Sequence, residues 1–378
     1  MTSLQSRHRW CFQLAFLLLL LGGHTASAFP EMIRHGYVNC TACHQSPAGG
    51  GILTPYGRGL SAELLSTWGT ESEAQFLHGA FSKNKASTEA VEQWVQFGGD
   101  VRSLQYHYEN NQVKTGQWIN MQAMLEASLH LQTWTVALGV GQLDSNNHWS
   151  GNGGHYYLMN QFTETMSLRV GRFTPQFGLN IPEHISPTRG GLGFGANSER
   201  DSVELQFADE SWSFATTYSQ ALATATLAQE KALSVKVERV FSDTLKPGIS
   251  YWRGENDTSL RQIVGLHALL GFSKNMFWLS EIDWQEQITK STQAVQHSPA
   301  SQQKWGYEIS KGVVGLLIAD GQMAKLEDPQ TRVVHYGGGV QFFPRPHFHI
   351  EAFWTKEQAP QISTGEGDYA WFLLHYYL

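Results

Sequence analysis

Between residues 118 and 131 the side chains alternate without a break. Ile119, Met121, Ala123, Leu125, Ala127, Leu129 and Leu131 fall on one parity, and Trp118, Asn120, Gln122, Met124, Glu126, Ser128 and His130 on the other. Successive side chains of a strand point to opposite faces, whereas a helix repeats its apolar residues every three or four positions, so this stretch reads as strand. Its length is the constraint. Strands of globular domains cluster at about 5–6 residues, while a strand tilted across a bilayer needs about 9–11. An apolar face this long must be covered by a second sheet or by lipid.

The pattern recurs along the chain. Trp134, Val136, Leu138 and Val140 alternate with Thr135, Ala137 and Gly139, and Leu233, Val235 and Val237 with Ser234, Lys236 and Glu238. Phe348, Ile350, Ala352 and Trp354 alternate with His347, His349, Glu351 and Phe353. A coarse count predicts about sixteen strands between residues 94 and 378. Short connections (Gln132, Asp209-Glu210, Ser242-Asp243-Thr244, Pro344-Arg345-Pro346) take turns with long ones at 144–154, 178–200, 220–230 and 288–303. Short turns at one rim and longer loops at the other are how outer-membrane barrels are built. With the N-terminus inside, every long loop falls outside. The sequence holds 37 Gly, 13 Trp, 13 Tyr and 20 Phe at a mean hydropathy of −0.30. It is therefore rich in aromatics without being oily. A soluble sandwich burying the same alternate faces is the competing all-β reading, and the expected fold is an antiparallel transmembrane β-barrel.

The N-terminus reads as an export signal. Arg7 and Arg9 precede an apolar run at 12–21 that is too short to span a bilayer core of about 30 Å, and Ala26-Ser27-Ala28 suits cleavage. Residues 1–28 are thus expected to be removed. The net charge of −7 becomes more negative when Arg7 and Arg9 leave, which argues against nucleic acid as a partner. Cys11 leaves too, so of 3 cysteines the mature chain keeps Cys40 and Cys43. Two cysteines this close are not a disulfide framework.

They belong to Cys40-Thr41-Ala42-Cys43-His44, a C-x-x-C-H. In a c-type haem site two cysteine sulfurs join the ring covalently and the adjacent imidazole ligates the iron. A redox dithiol would want a βαβ context, and zinc two further ligands; the sequence offers neither. The expectation is one haem c per chain, held by Cys40 and Cys43 with His44 axial. For the second axial position the nearby candidates are His78, in a helical-looking stretch at 70–81, then His35, then Met32, with an open position also allowed. Residues 29–92 hold few large apolar side chains, and so small a segment is marginal alone. The division is then a monohaem cytochrome c segment at 29–92, acting as a barrel plug, and a barrel at 93–378.

Three segments carry a family resemblance. Arg169-Val170-Gly171-Arg172-Phe173-Thr174-Pro175-Gln176-Phe177-Gly178 and Gln341-Phe342-Phe343-Pro344-Arg345-Pro346-His347-Phe348 look like parts of phosphate-selective-type porins. The amphipathic end Ala370, Phe372, Leu374, Tyr376, Leu378 resembles a porin's terminal strand. Cys40–His44 followed by Ser46-Pro47, Gly49-Gly50-Gly51 and Tyr56-Gly57-Arg58-Gly59 looks like the haem segment of exported monohaem proteins. The layout resembles the fused outer-membrane cytochrome–porins, some of which oxidise extracellular ferrous iron. The resemblance implies electron transfer across the bacterial outer membrane, between a periplasmic partner such as a soluble cytochrome and an extracellular donor or acceptor.

The alternative is a diffusion porin for small solutes with a haem-bearing plug. Arg169, Lys236 and the 189–191 loop would draw anions into its lumen. A haem enzyme would need an open iron position and a distal acid–base pair, and no such pair is identifiable. His347, His349 and Glu351 share one strand face, where they could converge on a metal or simply line the lumen.

Overall fold

The protein is described by a computed structural model at residues 30–69, 94–141, 154–181, 183, 186–195, 198–220, 230–360 and 365–378. The expected signal segment at 1–28 and His78 lie outside these residues.

Sixteen strands, from β1 (Val95–Glu109) and β2 (Lys114–Leu131) to β16 (Glu366–Tyr377), pair in chain order and antiparallel. β16 returns to β1, with Asp100 opposite Tyr377 and Glu109 opposite Asp368, and so closes the sheet. Closure removes the unpaired edges that an open sheet would expose. β1 begins and β16 ends at one rim, called here the terminal rim.

The two faces of the wall divide by chemistry. Leu125 of β2 is 68% exposed and Leu317 of β13 (Val313–Met323) 62%, while the neighbouring inward Glu126 and Leu316 are buried. An outward face of Leu, Val, Ile and Trp around a closed sheet is what lipid requires. Leu317→Arg should therefore destabilise the barrel by about 2–4 kcal/mol if Leu317 faces the bilayer core. Denaturant unfolding from liposomes measures this, and an unchanged midpoint would place that face in water.

Sequence and structure part at 288–303. The alternation fades there and a long loop is expected, but β11 (Met276–Thr289) and β12 (Val295–Ser310) extend through it, with Ile288 opposite Val295. The outward residues His297, Ser301 and Gln303 are polar, so this end of the strand lacks the apolar face that marks strands elsewhere. Conversely, β5 (Met166–Phe173) stops early and Thr174–Phe177 leave the sheet. The outer turns at 110–113 and 256–258 are as tight as those of the terminal rim.

Residues 30–69 and the described part of 174–195 fill the lumen. Ile33 and Val38 join Leu179 and Ile181 and the inward Leu269, Phe277, Leu279, Val314, Leu316 and Phe353 in one apolar core. Phe177, Leu192 and Phe194 pack against Trp252 and Ile263 in a second. The two segments cover many of the apolar side chains that face inward.

Candidate functional site

The N-terminal segment is latched to the wall by buried polar contacts. Arg34 Nε donates to Glu308 Oε2 at 3.1 Å, and Lys304 Nζ pairs with Glu31 Oε1 at 2.9 Å and with Glu183. Lys246 Nζ donates to the Val38 carbonyl at 2.9 Å. Burial alone would raise the Glu31 carboxyl, but Lys304 beside it holds it below the usual carboxylate range. At the terminal rim, Thr67 N donates to the Phe343 carbonyl at 2.8 Å and Trp68 N to Pro344 at 3.1 Å. Ser61 Oγ lies 3.0 Å from Tyr377 Oη and accepts from His347 N at 2.8 Å.

Within this segment the cysteines sit on one helical turn, Cys40–Ala42 with Cys43 as its cap. Cys43 N and His44 N both donate to the Cys40 carbonyl, at 3.2 and 2.9 Å. The turn places Cys40, Cys43 and His44 at neighbouring positions of one surface. A short helix, Pro55–Leu60, braces it: Thr54 caps that helix through Gly57 N at 3.1 Å and donates its hydroxyl to the Ala42 carbonyl at 2.6 Å. Gly57 has to be glycine, because a Cβ there would stand 2.4 Å from the Cys43 carbonyl oxygen. At the other side Gly49, at φ +78°, comes so close that a Cβ would lie 3.3 Å from Cys40 Sγ.

A cavity of about 320 Å³ opens between this turn and the wall. Cys40, His44, Met32 and the 49–51 glycines border it from the segment, and Glu126, His155, His349 and His375 from the wall. Cys43 lies one layer behind, packed with Met32, Leu60 and Leu65. Burial pushes the Cys40 thiol up, against the opposing pull of Lys246 and Lys236. Burial also lowers His44 to about 4, against hydrogen bonds to the Gly51 and Gly50 backbone, so its imidazole is neutral at pH 7, the state in which a ring nitrogen can ligate iron. Cys40 and the neutral His44 imidazole border the cavity with the donor types that a covalently bound haem takes, while Cys43, on the same turn, is packed behind them.

The other expected site residues scatter. His35 turns to Glu308, with Nε2 at 3.5 Å, and does not border the cavity, whereas Met32 does. Arg169 is bound to Glu204 at 2.7 Å and Lys236 to Glu238 at 2.9 Å, so the cations expected to draw anions are neutralised by acids. Arg189 donates to the Phe177 carbonyl at 3.0 Å. His347, His349 and Glu351 all face inward but do not converge: Glu351 accepts from Gln341 at 2.9 Å and Trp371 Nε1 at 3.3 Å. Among the described residues no group of three His, Cys, Asp or Glu side chains could hold a metal ion.

No protein-family model and no curated protein matches this sequence. Solved structures do match in shape. The anion-selective porin from Comamonas acidovorans aligns at a TM-score of 0.60 and 8% identity, over 75% of this chain and 99% of that one. A loop-deletion mutant of OmpT, an outer-membrane protein of Vibrio cholerae, aligns at 0.61 and 11%, over 75% and 99%. The outer-membrane channel DcaP of Acinetobacter baumannii aligns at 0.54 and 12%, over 75% and 97%. The chain thus has the sixteen-stranded fold of outer-membrane porins.

Proposed function

We propose that this protein is an outer-membrane barrel of the porin type whose terminal rim is closed by residues 30–69, and that this plug carries a haem c for electron transfer. The observation that carries the reading is the Cys40–His44 turn, held inside the lumen beside a cavity by its own helix and by the wall. The porin fold and the lipid-suited outer face support the membrane placement. Cys40 and Cys43 would hold the group through thioethers, and His44 would ligate it. Bound there, a haem supplies a one-electron iron(III)/iron(II) couple. The wall and the two lumen cores keep lipid away from the turn, and burial keeps His44 neutral. A periplasmic redox protein would meet the terminal rim, and a donor or acceptor the opposite one.

A solute channel is the second reading, and the likeness to porins favours it more directly than it favours electron transfer. One of the similar proteins is described as anion-selective. In this chain the pairing of Arg169 and Lys236 with acids and the apolar lumen cores speak for a narrow path. One experiment separates the two readings. The purified protein is placed in liposomes that hold a trapped electron acceptor in one set and a small anionic dye in another. Electron transfer predicts fast reduction of the trapped acceptor with little dye release. Dye release without reduction would leave the channel reading standing.

A further inference from the structure

We propose that the mouth of the lumen opposite the terminal rim admits small cations in preference to anions, and that Asp320 and Glu357 set this preference; the inference rests on the channel reading above. Asp320 and Glu357 stand near the outer ends of β13 and β15 (Phe348–Gln358), and His335 near the outer start of β14 (Arg332–Arg345). Register puts the three side by side, with Asp320 opposite His335 and His335 opposite Glu357. They point inward, since Leu317, Tyr336 and Trp354, of the other parity on the same strands, form the exposed outer face. Water reaches them all the same: the side chain of His335 is 26% exposed, that of Asp320 10% and that of Glu357 11%. An inward side chain meets water only through the lumen, so the lumen is open at this mouth. Across from it, beneath residues 174–195, Trp252, Glu281 and Asp283 are buried.

The charge of the open side is negative. His335 Nδ1 lies 2.9 Å from Asp320 Oδ1, and its Nε2 3.0 Å from Glu357 Oε2. Two carboxylates share one imidazole, so the group stays net negative even when that ring is protonated. Among the described residues neither carboxylate has a lysine or arginine within ion-pair range. Tyrosines extend the surface. Tyr108 Oη donates to Glu357 Oε1 at 3.4 Å. Tyr369 packs against Tyr108 at 4.5 Å and Tyr106 at 5.7 Å between ring centroids. The face of an aromatic ring attracts cations. The arginines of the opposite wall are engaged: Arg200 and Arg261 both pair with Glu230 and lie over the Trp252 ring. An ion arriving from outside therefore meets acid and ring faces on the side that water reaches, in a cleft whose low-dielectric walls focus the field.

The test places the full chain in planar bilayers, with potassium chloride more concentrated on one side, and reads the reversal potential. The wild-type sign should correspond to potassium crossing faster than chloride. This sign is read without any variant, so misfolding cannot hide the result. In Asp320→Asn/Glu357→Gln the potential should fall toward zero, and in Asp320→Lys/Glu357→Lys it should change sign. Glu255→Gln removes an exposed carboxylate at the same rim, at the end of β9 (Leu245–Glu255), and should leave the potential unchanged. Heat-modifiable gel migration checks that each variant is folded. An unselective or anion-selective wild type overturns the assignment. So does a folded Asp320→Asn/Glu357→Gln protein that keeps the wild-type potential, or a change in Glu255→Gln as large as in that double variant. A wild type that never conducts would instead overturn the channel reading itself.

Discussion

The double variant Cys40→Ala/Cys43→Ala should mature without covalent haem, where the wild type should carry one per chain. Acid-acetone extraction followed by haem staining of a denaturing gel measures it. Each single variant should attach poorly, since one thioether is lost. His44→Ala should behave differently: both thiols remain, so the haem stays attached while the spectrum changes. The distinction follows from the turn. Cys40, Cys43 and His44 sit on one turn around the Cys40 carbonyl and differ in the chemistry each would supply. The barrel should be untouched in every case, because none of the three is on a strand. Heat-modifiable gel migration checks this. Haem extracted by acid from the wild type would refute covalent attachment.

Lys304→Ala should release the plug. The ammonium is 2% exposed and is shared by Glu31 of the plug and Glu183. Removing one member of a buried pair leaves an uncompensated charge and costs roughly 3–5 kcal/mol. Here two carboxylates would be stranded beside one another. The least costly relief is for the plug to move Glu31 toward water, which also frees Ile33 and Val38 from their apolar core. The expected result is a rise in single-channel conductance over the wild type in planar bilayers. Protease should then cut within 30–69 while the barrel stays intact. Conductance and cleavage equal to wild type would show that the plug does not depend on this pair.

The barrel was legible where strands cross the lipid belt, because there one face must be apolar and the other need not be. It was illegible at 288–303, where outward His297, Ser301 and Gln303 remove the contrast. The cysteine turn was legible because its chemistry is local: five consecutive residues carry it. The partners of the plug were not. Glu308 and Lys304, which hold Arg34 and Glu31, lie hundreds of residues away and read as ordinary lumen-facing polar positions. Arg169 and Lys236 looked like open anion attractors because the alternation places a side chain inward without saying which acid it will meet.

By itself, then, the sequence determined the period-two wall, its closure into about sixteen strands, and a C-x-x-C-H segment near the N-terminus, since each depends on spacing along the chain. Only the tertiary structure decided that residues 30–69 lie inside the barrel, that Arg34 meets Glu308 and that Lys246 meets Val38. Those contacts depend on strand register, which turns each side chain in or out and sets its height along the barrel. Register is a property of all the pairings together, so no single stretch of sequence carries it.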